Sequence, residues 1–152
     1  MWHTELRQRI RRTRQAAGMT QPQVAGDSPT ALNALKRIEN GDRKRITLSD
    51  ALMVAQGLGL SWEQLLCGEG PPGVIPSGDA EAWRGVVRRN IRAARTKHEF
   101  TQTRLAEACE MNQGAIARIE LGSVGSLNVI ELNRMAQAMG IRVVDLFDDT
   151  AD

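Results

Sequence analysis

The 152-residue chain is 41% hydrophobic and 25% charged, the balance of a globular protein rather than a disordered one. Three Trp, two Phe and no Tyr, beside abundant Leu, Ala, Arg, Gln and Glu, argue against a sandwich or barrel and for helices. The net charge of +2 excludes nothing alone, but no run of about 18 apolar residues exists, so no segment reads as membrane-spanning.

The first predicted helix covers residues 4–17, with Leu6 and Ile10 on its inner face and Arg7, Arg9, Arg11, Arg12 and Arg14 along its length. The chain enters this helix at once, which is not the pattern of a secretion signal. A second helix opens at Thr20, where Thr20-Gln21-Pro22-Gln23 fits a capping box with proline in the first turn. The third carries Leu35 and Ile38 and stops at Gly41. Its start is open. Ser28-Pro29-Thr30-Ala31 supplies no apolar turn anchor, so either the turn is eroded or the helix begins early, capped by Ser28 with Pro29 first. A basic loop, Arg43-Lys44-Arg45, follows. The fourth helix starts near Thr47, with Asp50 three residues on and Leu48, Ala51 and Val54 at helical spacing; the fifth covers residues 62–66.

Residues 68–78 are rich in Gly and Pro and read as a linker. Beyond it the pattern returns at a constant offset of 81 residues: Trp2 falls on Trp83, Arg14 on Arg95, Thr20-Gln21 on Thr101-Gln102, and Arg37-Ile38-Glu39 on Arg118-Ile119-Glu120. One register held over about 65 positions is duplication rather than chance. The second copy therefore has helices over 80–97, from Thr101, through Ile116 and Ile119 to Gly122, from Asn128 with Glu131, and over 143–147. No segment alternates convincingly, so no sheet is predicted. The expected fold is all-α: two tandem five-helix domains at 1–67 and 80–149, a linker at 68–79 and a tail at 150–152.

The run Thr101-Gln102-x-x-Leu105-Ala106, continued by Ile116-x-Arg118-Ile119-Glu120-x-Gly122, resembles the signature of the phage-repressor helix-turn-helix family, the Cro, lambda-repressor and XRE type. Thr20-Gln21-x-x-Val24-Ala25 through Leu35-x-Arg37-Ile38-Glu39-Asn40-Gly41 resembles it equally well. The resemblance covers about 130 of 152 residues. A small residue at Ala25 or Ala106 lets the third helix cross the second closely and project into a DNA major groove.

The resemblance implies double-stranded DNA as partner and assigns roles by position. In the second domain Asn112, Gln113 and Gly114 fall in the first turn of the third helix, with Ala117 a turn later; Asn and Gln can pair with adenine. In the first domain the polar readers are Asn33 and Lys36. Gln21 and Gln102, opening the second helices, are expected to hold phosphates, as is the loop Asn40-Gly41-Asp42-Arg43-Lys44-Arg45. Arg37 and Arg118 divide between phosphate contact and structure. Arg14 with Glu39, and Arg95 with Glu120, are expected as partly buried ion pairs.

The copies are unequal. The second carries the apolar turn positions Cys109 and Met111 but Ser123-Val124-Gly125-Ser126 in place of the basic loop, and Leu121 where Asn40 stands. Basic residues exceed acidic ones ten to seven in residues 1–75, but trail ten to eleven in 76–152. The expectation is a division of labour: Asn112 and Gln113 read bases, and Arg43, Lys44 and Arg45 hold phosphates.

Cys67 and Cys109 lack CxxC spacing and read as free thiols in a reducing, cytoplasmic setting. His3 and His98 have no ligand-like spacing, and the three Trp read as packing. No clustered carboxylates, metal-ligand spacing or phosphate-cradling loop is present, so neither enzyme activity, metal, cofactor nor small-molecule ligand is expected. The leading function is a transcriptional repressor, acting as a homodimer or as a single-chain pseudo-dimer. The alternative is an antiactivator or antitoxin-type module that keeps the fold and grips a protein partner, suggested by the weak first recognition helix and the acidic tail.

Overall fold

In the computed structural model residues 2–42, 45–70, 73–122 and 127–150 are described. Among them stand nine α-helices and one 3-10 helix, without a strand, in two units divided between Gly78 and Asp79. None of these helices is long and apolar enough to cross a membrane.

The first unit holds α1 (Trp2–Ala16), α2 (Gln21–Ala25), α3 (Pro29–Asn40), α4 (Leu48–Leu58) and α5 (Trp62–Cys67). In α1, Leu6 and Ile10 lie one turn apart and are buried, while Arg11 and Arg12 are exposed. The Thr20 hydroxyl accepts from Gln23 N at 3.3 Å and the Gln23 side-chain amide oxygen Oε1 accepts from Thr20 N at 2.8 Å, satisfying two of the donors left open at the start of α2. Thr47 and Asp50 repeat that device at α4, with both bonds at 3.1 Å. Leu35, Ile38, Ile46, Leu48, Val54 and Leu65 fill the centre and are essentially solvent-free. Burying each stabilises the fold by about 1.5–3 kcal/mol.

The structure selects the early start for the third helix. Ser28 Oγ accepts from Ala31 N at 3.2 Å, and Pro29 takes the first helical position, where its missing N–H costs nothing. The helix ends at Gly41, whose φ of +77° suits glycine and whose N–H bonds Arg37 O and Ile38 O.

The second unit holds α6 (Ala80–Lys97), α7 (Gln102–Ala108), α8 (Ala115–Leu121), α9 (Val129–Ala138) and a 3-10 helix, Val143–Phe147. Its third helix has seven residues where α3 has twelve. Five residues fewer make it about 7.5 Å shorter. The turn explains why. Cys109 is fully buried and anchors the end of α7, and Met111 N donates to Ala106 O at 2.9 Å. Glu110 at φ +56° and Gly114 at φ +83° then break any helical path between them. Ser28 and Thr30, at the positions of Cys109 and Met111, are exposed and free to join a helix. At the fifth position Val143-Val144, two β-branched residues in a short segment, accompany a 3-10 rather than an α-helix.

Each unit ties its first helix to its fifth at the same repeat position with different chemistry. Arg9 Nη1 donates to Leu65 O at 2.7 Å, and Asn90 Nδ2 donates to Leu146 O at 2.9 Å and Asp148 O at 2.8 Å. The Gly/Pro-rich connection is not loose where it is described. Gln56 Nε2, on α4, donates to Pro76 O at 3.0 Å and Gly78 O at 3.2 Å.

Candidate nucleic-acid interface

The interface begins with what fixes the third helices. Arg14 Nε and Nη2 donate to Glu39 Oε2 and Oε1 at 2.8 and 2.7 Å, while Arg14 Nη1 donates to Met19 O at 2.9 Å. Arg95 repeats all three: to Glu120 Oε2 at 2.7 Å, to Glu120 Oε1 at 3.1 Å and to Phe100 O at 2.9 Å. The Glu39 and Glu120 side chains are only 2% and 6% exposed. Each pair thus locks the first helix, the loop before the second, and the end of the third into one body. Hydrogen bonding to Glu39 raises the Arg14 pKa, so its charge is permanent.

With its base fixed, α3 divides cleanly. Ala34, Leu35 and Ile38 face the core and are buried. Asn33, Lys36, Arg37 and Asn40 are exposed and follow i, i+3, i+4, i+7, so they form one outward stripe. The stripe offers amide, ammonium, guanidinium and amide in sequence, each able to bond a base edge or a phosphate. A cleft of about 390 Å³ between α3 and α4 includes Asn33, Arg37 and Asp50 in its walls.

The second unit presents a different surface. The structure moves Asn112 and Gln113 out of the helix: both are exposed, but they stand in the turn before α8. Gly114 is the N-cap of α8 and not part of its first turn. The physical reason is the left-handed backbone at Gly114, which a continuing right-handed helix cannot contain. On α8 itself Arg118 is exposed and Ala117 half-buried, while Leu121, at the position of Asn40, is 81% exposed. Asn112 shares a cleft of about 270 Å³ with Glu110, Glu131 and Arg134. Two carboxylates against the one Arg134 guanidinium leave that cleft net negative, which disfavours an approaching phosphate. The charge balance agrees: residues 28–45 carry five basic and two acidic side chains, residues 109–126 one basic and two acidic.

Gln21 and Gln102 occupy the first positions of α2 and α7, both half-buried. Gln102 Nε2 donates to Glu120 Oε1 at 3.4 Å, which links the α7 N-terminus to the ion pair beneath it. In the loop after α3, Arg45 is exposed; Arg43 and Lys44 lie outside the described residues, as do residues 123–126 of the second loop. Sequence reasoning missed Arg7, whose Nη1 donates to Gly41 O at 3.3 Å and Nη2 to Thr4 Oγ1 at 3.3 Å, bracing the end of α3. Its recurrence as Arg88 was a signal, since the Arg88 guanidinium also lies close to Gly122. It also missed Arg134, whose Nη1 donates to Cys109 O at 3.3 Å and steadies the second turn.

Among the described residues no group of three or more His, Cys, Asp or Glu could hold a metal ion. Cys67 and Cys109 are not joined in a disulfide, and burial pushes the Cys109 thiol above its ordinary pKa.

Comparison with known protein families matches residues 5–66 to a helix-turn-helix domain and residues 91–146 to a helix-turn-helix. No curated protein and no solved structure matches the chain.

Proposed function

Two lambda-repressor-like helix-turn-helix domains in tandem make this chain a DNA-binding regulator of XRE type, and from that premise we propose that it binds double-stranded DNA sequence-specifically as a repressor, with the third helix of each domain in the major groove. The observation that carries this reading is the Asn33-Lys36-Arg37-Asn40 stripe, exposed on a helix that buries Ala34, Leu35 and Ile38. Asn33 and Lys36 read base edges. Arg37, Asn40 and the Arg43-Lys44-Arg45 loop follow the phosphates, with Gln21 at the helix N-terminus. In the second domain Asn112 and Gln113 reach the groove from a turn, beside Gly114 and Ala117, with Arg118 and Gln102 toward the backbone. We therefore place the stronger readout in the first domain, a reversal of the division that the residue types alone suggested.

One chain supplies the two recognition helices that a dimer of single-domain regulators supplies, so a monomer can read two half-sites and a homodimer four. A protein partner has one specific observation in its favour, the exposed Leu121 at the end of α8 beside Ala117. Selection of binding sites from random duplexes by the full chain, with its solution mass measured in parallel, tests the proposal. Enrichment of a motif that Asn33→Ala and Lys36→Ala alter supports it. No enrichment at moderate salt would transfer the function to the protein-partner reading.

A further inference from the structure

The connection between the domains is twelve residues long by composition, 68–79, and a free chain of that length reaches roughly 40 Å. The structure uses most of it differently. Pro76 is buried against the first unit, and the Gln56 amide holds the carbonyls on both sides of Ser77, at 3.0 Å to Pro76 O and 3.2 Å to Gly78 O. At Gly73 a Cβ would lie 3.0 Å from Ser61 Cβ and 3.3 Å from Ser61 Oγ, so the backbone passes close over the start of α5. Ile75 Cδ1 reaches within 3.8 Å of where a Gly59 Cβ would stand. Together these interactions lay residues 73–78 along α4 and α5 as a strap. The next residue, Asp79, already caps α6, accepting from Ala82 N at 2.9 Å. No length of unattached chain remains between the last held carbonyl and the first helix of the second domain.

We infer that Gln56 is a specificity-determining residue, which by pinning the strap sets the spacing of the two DNA half-sites the chain accepts. This rests on the DNA-binding reading above. A long free tether would tolerate many spacings, because its entropy changes only slowly with end-to-end distance. A tether consumed by the first domain permits few. Gln56 is itself exposed on a helix, so Gln56→Ala removes the two bonds without opening the core. Gln137, its counterpart at the 81-residue offset, is also exposed and serves as the control.

Two measurements on the full-length chain test the inference. The first needs no DNA: cleavage by elastase at Val74 and Ile75 under native conditions, expected about tenfold faster in Gln56→Ala than in wild type or Gln137→Ala, with unchanged helical content by circular dichroism. The second is selection against duplex libraries in which the half-site spacing varies base pair by base pair. Wild type and Gln137→Ala are expected to keep one spacing or its immediate neighbour, and Gln56→Ala to accept at least three more with preferences falling below threefold. Equal cleavage rates overturn the strap. Faster cleavage with an unchanged spacing profile overturns the role of Gln56 in specificity. Failure of every protein to enrich any duplex sinks the DNA-binding reading and the spacing role with it, while the cleavage rates still judge the strap.

Discussion

Arg14 and Glu39 stand twenty-five residues apart and meet through two parallel hydrogen bonds at 2.8 and 2.7 Å, and Arg95 and Glu120 meet at the same separation in the second domain. The carboxylate of Glu39 is almost wholly removed from water, so it depends on its partner. Arg14→Ala is expected to destabilise the first domain by on the order of 3 kcal/mol, because it strands a buried charge. Replacing both residues by Ala is expected to cost less than the sum of Arg14→Ala and Glu39→Ala taken singly. Urea unfolding of the full chain, followed by circular dichroism, gives the double-mutant cycle; additivity would contradict the pairing.

The exposed stripe on α3 predicts a split between affinity and selectivity. Asn33→Ala or Lys36→Ala is expected to lose about 1–3 kcal/mol against the preferred site and little against random DNA. Neutralising Arg43, Lys44 and Arg45 together is expected to weaken all sequences alike and flatten the salt dependence by about 0.9 in slope for each phosphate the loop no longer neutralises. Titrations at several salt concentrations separate these effects. A loop variant that keeps its slope and loses selectivity would exchange the assigned roles.

The turn placement of Asn112 and Gln113, beside Glu110 and Glu131, makes a comparative prediction. Their replacement by Ala is expected to change sequence preference less than the α3 substitutions do. Glu110→Gln, which removes one carboxylate from that cleft, is expected to tighten binding, most visibly at low salt. Weaker binding by Glu110→Gln would mean that the cleft does not face the phosphates.

Asn90 bridges α6 to the carbonyls of Leu146 and Asp148 from a buried position. Asn90→Ala leaves those acceptors without their donor and is expected to cost about 1–3 kcal/mol. Arg9→Ala, at the equivalent and more exposed position, is expected to cost less. Thermal unfolding ranks the two, and the reverse order would show that the clasps differ in more than burial.

The thiols should separate by reactivity. Cys109 is fully buried with its pKa raised, so its nucleophilic thiolate is scarce at neutral pH, whereas Cys67 is partly exposed. Cys67 is expected to react first with a disulfide reagent, and Cys109 only as the second domain unfolds. Raising the pH toward the elevated Cys109 pKa should increase its thiolate fraction without overcoming its burial.

Much of this molecule was written in the chain. The 81-residue offset declared the duplication, capping residues such as Thr20 with Gln23 and Thr47 with Asp50 marked helix starts, and Gly41 and Gly122 marked the ends of the third helices. The caps and the glycines are local signals: each satisfies backbone groups within one turn, so neighbours in sequence suffice to reveal them. Tertiary structure alone decided where the third helices begin, because that choice turned on whether a side chain at the turn found a core to enter: Cys109 did and Ser28 did not. It alone also showed Gln56 holding Pro76 and Gly78, and Arg9 and Asn90 reaching carbonyls 56 residues away. Such contacts carry no periodicity, since what selects them is the distance left between packed helices and not any spacing along the chain.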